Sequence, residues 1–220
     1  MGRPVILLDG VVSLLGSFPA LAGIDLAVGA GEIVVVKGPN GAGKSTLLRV
    51  CAGLAPIRQG SAEVLGHDLT ARAGRRAARR SVGLVGHASS LYDDLTVAEN
   101  VEFWTKAAGA DPARIAPALG ELGLDGRLAD VPVRGLSAGQ RRRTSFAVLL
   151  CRRPALWLLD EPHGGLDPAG RDLVDRLVRS AADAGATVVL ASHDLDRAEA
   201  LADRVVTIVG GSIDASEEAA

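Results

Sequence analysis

The stretch Gly38-Pro-Asn-Gly-Ala-Gly-Lys-Ser-Thr46 decides the reading of this chain. It meets the pattern G-x-x-x-x-G-K-[ST] at Gly38, Gly43, Lys44 and Ser45. Ahead of it, Glu32-Ile-Val-Val-Val-Lys37 is a short β-branched run, as a buried strand requires. Behind it, Leu47, Leu48 and Cys51 recur at helical spacing. Strand, glycine-rich loop and helix together make a phosphate cradle. Glycine reaches positive φ and lets backbone N–H groups approach an anion with no side chain between them. The helix N-terminus adds partial positive charge at the same point. Pro39, Asn40, Gly41, Ala42 and Thr46 complete the predicted nucleotide-binding set. Lys44 offers a cation to the β- and γ-phosphates, and Ser45 a hydroxyl to Mg2+. The cofactors implied are ATP and Mg2+.

A second motif, Leu156-Trp-Leu-Leu-Asp-Glu-Pro162, is an apolar strand ending in two adjacent carboxylates. Side chains alternate along a strand, so the two cannot face the same way. Asp160 is assigned to the Mg2+ shell and Glu161 to the base that polarises the attacking water. Such a strand end is common by itself. Its weight comes from the phosphate loop.

Leu136-Ser-Ala-Gly-Gln140 resembles the signature sequence of ATP-binding-cassette (ABC) ATPases, which usually carry Gly where Ala138 stands. Ser137-x-x-Gln140 is also a capping box, and both readings can hold, because a capped helix N-terminus is an anion site. The resemblance implies that Leu136, Ser137, Ala138, Gly139 and Gln140 meet the γ-phosphate of ATP held by an opposite subunit. Arg141, Arg142 and Arg143 raise the positive potential there. Gly165-Leu166-Asp167 looks like the family's dimer-contact loop, with Asp167 as the contact. Ser192-His193-Asp194, after the strand-like run 186–191, looks like its switch histidine, which makes His193 a γ-phosphate sensor.

The resemblance spans about residues 5–213 and implies an α/β fold. This is a P-loop NTPase (RecA-like) core with a small antiparallel β layer and an inserted helical subdomain. Residues 1–220 form one ABC ATPase domain: β layer and phosphate-loop part of the core over 1–87, helical subdomain over 88–150, the rest of the core over 151–213 and a fraying acidic tail over 214–220. Strands are expected at 5–14 and 21–28, around a turn from Gly16 to Pro19.

Beside Ala138, three positions depart from the family pattern. His87 stands where Gln usually helps hold Mg2+; a neutral imidazole also offers a lone pair, so His87 is kept in the metal and catalytic sets, with simple packing at the hinge as the alternative. Leu15 stands where an aromatic ring usually stacks on adenine, and Phe18 either substitutes for it or joins the core. His163 follows Pro162 without an evident reason. Separately, Arg72, Arg75, Arg76, Arg79 and Arg80 fall on one face if their segment is helical, either as a solvated face or as a contact for anionic lipid.

Bulk properties bound the rest. A 220-residue chain that is 48% apolar can bury a sizeable core. Its net charge of −2 argues against nucleic acid as a partner. Cys51 and Cys151 read as free thiols on core helices in a reducing compartment. Asp9 and Gly10 break the only short apolar stretch near the start, so no signal peptide is expected; no run reaches about 18 apolar residues, so no membrane span is expected either. The function expected is the ATPase subunit of an ABC transporter, peripheral on the cytoplasmic face of a bacterial membrane. Its partners would be a membrane-spanning subunit and a second ATPase copy. The stretches 86–101 and 136–143 resemble the haem-exporter ATPases of cytochrome c maturation. Small lipid or drug exporters stay open, as does a soluble ABC ATPase of DNA repair or translation. Replacing His87 with Gln should leave steady-state ATP hydrolysis within about twofold, since both groups present a lone pair; loss of most activity would remove His87 from the metal shell.

Overall fold

A computed structural model of the chain describes residues 3–86 and 89–214. His87 therefore lies outside the described residues, as do positions 215–220 of the tail.

Strands β1 (Ile6–Leu15) and β2 (Phe18–Val28) form a hairpin. Strand β3 (Ile33–Lys37) feeds the phosphate loop and helix α1 (Lys44–Cys51). Then come β4 (Gln59–Val64), β5 (His67–Asp68), α2 (Arg72–Ser81) and β6 (Val82–Val85). Three helices follow: α3 (Val97–Ala107), α4 (Ile115–Glu121) and α5 (Ala138–Arg152). The chain closes with β7 (Leu156–Asp160), α6 (Pro168–Asp183), β8 (Thr187–Ala191), α7 (Leu195–Leu201), β9 (Arg204–Val209) and β10 (Ser212–Ile213).

Two sheets result. One is antiparallel, in the order β2-β1-β4-β5. The other runs β10-β9-β3-β8-β7-β6, parallel except for the β10–β9 pair. Val34 and Val36 of β3 pack with α1 and the antiparallel layer. Ile33 and Val35, on the opposite face, pack with residues of α3 to α7. Burial on both faces explains the unbroken apolar run, which an alternating half-exposed strand would not show.

The helical stretch is punctuated by local signals. Thr96 and Glu99 form a capping box at the start of α3. Glycines at positive φ, Gly109 and Gly123, follow α3 and α4. The turn expected from Gly16 to Pro19 is shorter than anticipated, because Leu15 and Phe18 pair across the hairpin and start β2 at residue 18. The short β5 carried no signal strong enough to anticipate.

Segment 72–81 is helical, but its arginines do not make one free face. Arg75 donates to the carbonyls of Leu69 and Thr70, both at 2.8 Å, and Arg79 to that of Gly53 at 3.0 Å. Arg72, Arg76 and Arg80 stay exposed one turn apart. Cys51 and Cys151 are free and buried, on α1 and α5 as expected. Burial pushes the Cys51 thiol up to about 12, so it stays protonated and unreactive. Among the described residues no helix is long and apolar enough to cross a membrane.

Candidate active site

The parallel sheet sets three loops side by side. Ala191 at the end of β8 lies level with Val36 of β3 on one side and Asp160 of β7 on the other. The chain leaves each strand at the same edge: the phosphate loop after β3, Glu161 after β7, and Ser192-His193 after β8. Ligands of open α/β sheets bind at the carboxyl ends of such strands.

The loop needs its glycines. Gly38 adopts φ +146, and a Cβ there would lie 2.1 Å from the Ile208 carbonyl oxygen. Gly43, at φ +111, would meet the Ala20 carbonyl oxygen at 2.4 Å. The loop is thus clamped between β9 and β2, and no side chain fits at either point. Gly43 is the N-cap of α1 and provides no side-chain cap, which leaves N–H groups for an anion. Lys44 is buried, and its Nζ donates to the carbonyls of Gly38 at 2.7 Å and Pro39 at 3.1 Å. That holds the ammonium over the loop.

The residues assigned to Mg2+ fit a hard cation. Asp160 is 9% exposed, and among the described residues its carboxylate accepts no hydrogen bond. Ser45 is exposed on the first turn of α1, and α1 packs on β7. An unengaged carboxylate and a hydroxyl are oxygen donors of the kind Mg2+ selects.

Glu161 is not part of the strand. It sits in the left-handed region at φ +51, which costs a non-glycine residue about 1–3 kcal/mol. This strain, rather than strand alternation, separates its side chain from that of Asp160. Its N–H donates to Ala191 O at 2.9 Å, and its carbonyl accepts from Gly164 N at 3.1 Å. Its Oε2 accepts from His193 N at 3.1 Å. Oε1 is buried and among the described residues has no hydrogen-bond partner, 3.4 Å from His193 Nε2. An orphaned buried acceptor is costly, and here it is a place for a water O–H. The structure therefore brings Glu161 and His193 together.

Ser137 caps α5 with both capping-box bonds formed: Gln140 N to Ser137 Oγ at 3.2 Å, and Ser137 N to Gln140 Oε1 at 2.9 Å. Leu136 is buried just ahead of it. Gly139 abuts the catalytic turn, since a Cβ there would lie 2.9 Å from Gly165 O. The Ala138 methyl is 3.1 Å from where a Gly165 Cβ would be, so the alanine is tolerated because Gly165 is bare. Asp167 caps α6: its Oδ1 accepts from Gly170 N at 2.9 Å and from Arg143 at 3.0 Å, with the side chain still 62% exposed.

Sequence reasoning grouped three arginines that the helix separates. Arg141 pairs with Asp93 at 2.7 Å and Arg143 with Asp167. Arg142 turns inward and donates to Gly86 O at 3.0 Å. Burial pulls its pKa down, against the opposing pull of Asp160 and Glu161. It is a cation facing the carboxylates of Asp160 and Glu161, in a cleft of about 580 Å³ that Ala138, Ser145, Glu161 and Gly165 also line. The 100° step between successive helical residues was the signal available for it.

The ABC transporter sequence profile matches residues 21–164. The chain belongs to the ABC transporter family. It is 39% identical over 209 residues to the daunorubicin/doxorubicin resistance ATP-binding protein DrrA of Streptomyces peucetius, covering 93% of this chain and 62% of that one. It is 40% identical over 184 residues to the cytochrome c biogenesis ATP-binding export protein CcmA of Rhodopseudomonas palustris, covering 84% of this chain and 89% of that one. A bacterial ABC transporter cassette solved as a dimer superposes with a TM-score of 0.87 at 28% identity, over 95% of this chain and 96% of that one. The fold is therefore the P-loop NTPase core with antiparallel layer and helical subdomain. Similarity at one level to a drug-resistance and a cytochrome c biogenesis protein does not single out a cargo.

In this ABC cassette Leu15 and Phe18 are both exposed, at 74% and 79%, so Phe18 is not a core residue. They face each other at the hairpin tip, a few residues from the Ala20 carbonyl that touches Gly43. Leu15→Tyr should tighten ATP binding by about fivefold, the low end of base–aromatic stacking at ~1–3 kcal/mol. Titration with a fluorescent ATP analogue reads this, and unchanged affinity would show that residue 15 does not face the base.

Proposed function

We propose that this chain is the ATP-hydrolysing subunit of an ABC exporter that acts through a separate membrane subunit. The observation that carries the reading is Glu161 Oε1, buried, without a hydrogen-bond donor among the described residues and beside His193, at the sheet edge where the phosphate loop also emerges. Residues 38–46 bind the ATP phosphates, with Lys44 on the β- and γ-phosphates. Ser45 and Asp160, and His87 in this proposal, hold Mg2+, which when bound neutralises charge on the phosphates. Glu161 accepts the proton of the attacking water, and His193 contacts the γ-phosphate. Two copies sandwich the nucleotides, each meeting ATP through Leu136 to Gln140 of its mate, with Asp167 at the seam. The dimeric cassette among the solved relatives supports this arrangement.

The membrane subunit would dock in a groove of about 910 Å³ between α2, α3 and α5. Arg76, Arg79, Arg80, Lys106 and Arg152 line it, and among the described residues no carboxylate does. Trp104 also lines it, with Nε1 buried and without a partner among the described residues. An amphipathic segment with acidic residues and an acceptor for the indole N–H fits that lining.

For cargo, haem export in cytochrome c biogenesis is supported by the stretch 86–101, by Ala138 and by the likeness to CcmA. The second reading, export of a drug or lipid, is supported by the likeness to DrrA, which runs over 93% of this chain.

Glu161→Gln should lower ATP hydrolysis by about 10²–10⁴-fold and stabilise the closed complex. Tagged Glu161→Gln chain purified from native membranes with ATP should bring down a polytopic membrane protein in stoichiometric yield, and a haem-handling companion would favour the first cargo. Recovery of only ribosomes, DNA or soluble protein would overturn the transporter reading. In the same purification, adding Arg76→Glu and Arg80→Glu should release the membrane protein while ATP binding persists; retention would exclude the groove.

A further inference from the structure

His163 is a buried imidazole that the catalytic assignments leave unused. It lies two residues past Glu161, and its ring is 5% exposed. Nε2 is 2.7 Å from Asp175 Oδ1 on α6. Nδ1 is buried and has no partner among the described residues. A neutral ring in that setting carries its proton on Nε2 and donates it to Asp175.

The bond continues beyond Asp175. Its other oxygen, Oδ2, accepts from Arg197 on α7. Arg197 also pairs with Asp172 at 2.9 Å and lies 4.0 Å from Asp194. Asp194 immediately follows His193 and meets Arg171 at 3.4 Å. The order is thus His163, Asp175, Arg197 and Asp194, from the turn after β7 to the loop after β8.

At the near end the turn itself is taut. Gly164 N donates to Glu161 O at 3.1 Å, and Leu166 N donates to His163 O at 3.2 Å. Those two bonds close overlapping turns around His163 while Glu161 sits at φ +51. A residue in that region persists only when its surroundings over-determine it. At the far end, His193 N donates to Glu161 Oε2 and its ring approaches Oε1. The side-chain chain and the direct Glu161–His193 contact therefore join the same two loops twice.

From this we infer that His163 is a positioning residue. By donating to Asp175, it ties the Glu161 turn to α6 and, through Arg197, to the His193 loop, and so holds the base and the sensor at their working separation. This rests on the reading of Glu161 as base. Asp175 and Arg197 serve the same purpose.

The test is steady-state ATP hydrolysis by the purified full chain, with ATP affinity and thermal midpoint measured separately. His163→Ala should lower kcat by about 10- to 100-fold, the scale of a misplaced catalytic group, with KM for ATP changed less than about twofold. His163→Gln, whose Nε2–H has similar reach, should recover most of kcat. Asp175→Asn keeps the shape but cannot serve both neighbours as a charged acceptor, and should lose kcat even if His163→Ala does not fold. In a Glu161→Gln background, His163→Ala should add no further loss, because its effect passes through Glu161. Full kcat in folded His163→Ala or Asp175→Asn chain would overturn the proposal, as would an additive loss in the Glu161→Gln background or failure of His163→Gln to recover activity. If Glu161→Gln alone leaves kcat intact, the base reading has failed instead, and the two failures are told apart by that single variant.

Discussion

Everything at the candidate site depends on one row of strand ends. Val36, Ala191 and Asp160 stand level across β3, β8 and β7 because parallel pairing locks their register. A slip of one residue would turn each strand's side chains to the opposite face. Val35 would then point at α1 rather than the α3–α7 side, and the two cores would lose their separate apolar sets. The same slip would carry Asp160 out of line with the phosphate loop. Core packing thus specifies the register, and the register specifies the site. Register alone brings residues 44, 161 and 193 to one edge of the sheet, and the finer spacing is left to contacts between the loops.

The site is closed from two further directions. Gly38 rests on the Ile208 carbonyl of β9, and Gly43 on the Ala20 carbonyl of β2. The loop is therefore held by both sheets, and the antiparallel layer is part of the phosphate cradle's foundation. The strain at Glu161 is sustained by similar means. Backbone bonds to Ala191 and Gly164 and the Oε2 bond to His193 N offset an unfavourable φ. What they leave over is Oε1, buried and without a hydrogen-bond partner among the described residues.

Much of this was legible in the sequence because its signals are local. Residues 38–46 carry their geometry in three closely spaced glycines, at 38, 41 and 43, and β3 and β7 announce double-sided burial by unbroken apolar runs. The capping box at Ser137 and Gln140 spans a single turn, and it formed as the pattern implied. What escaped notice is long-range or depends on direction. His163, Asp175 and Arg197 are separated by 12 and 22 residues, and no periodicity links them. The divergence of Arg141, Arg142 and Arg143 follows from helical rotation, yet adjacency in sequence made them look like one patch. The arginines of α2 failed as a single face because Arg75 and Arg79 found carbonyls in neighbouring segments, which no helical wheel displays.

The capped end of α5 and the catalytic turn are one packed unit. Gly139 lies against Gly165 O, and Ala138 leans on Gly165 where a side chain would collide. Arg143 reaches from α5 to the Asp167 cap, and Arg142 passes beneath to face Asp160 and Glu161. Packing at residues 138, 139 and 165 thus joins the α5 N-terminus to the turn that follows Glu161. Close-packed contacts shift between discrete arrangements rather than deforming freely. The end of the molecule that would touch a second copy's nucleotide and the carboxylate that would act on its own share a rigid contact. Coupling between two such sites then follows from packing at residues 138, 139 and 165, without any separate signalling element.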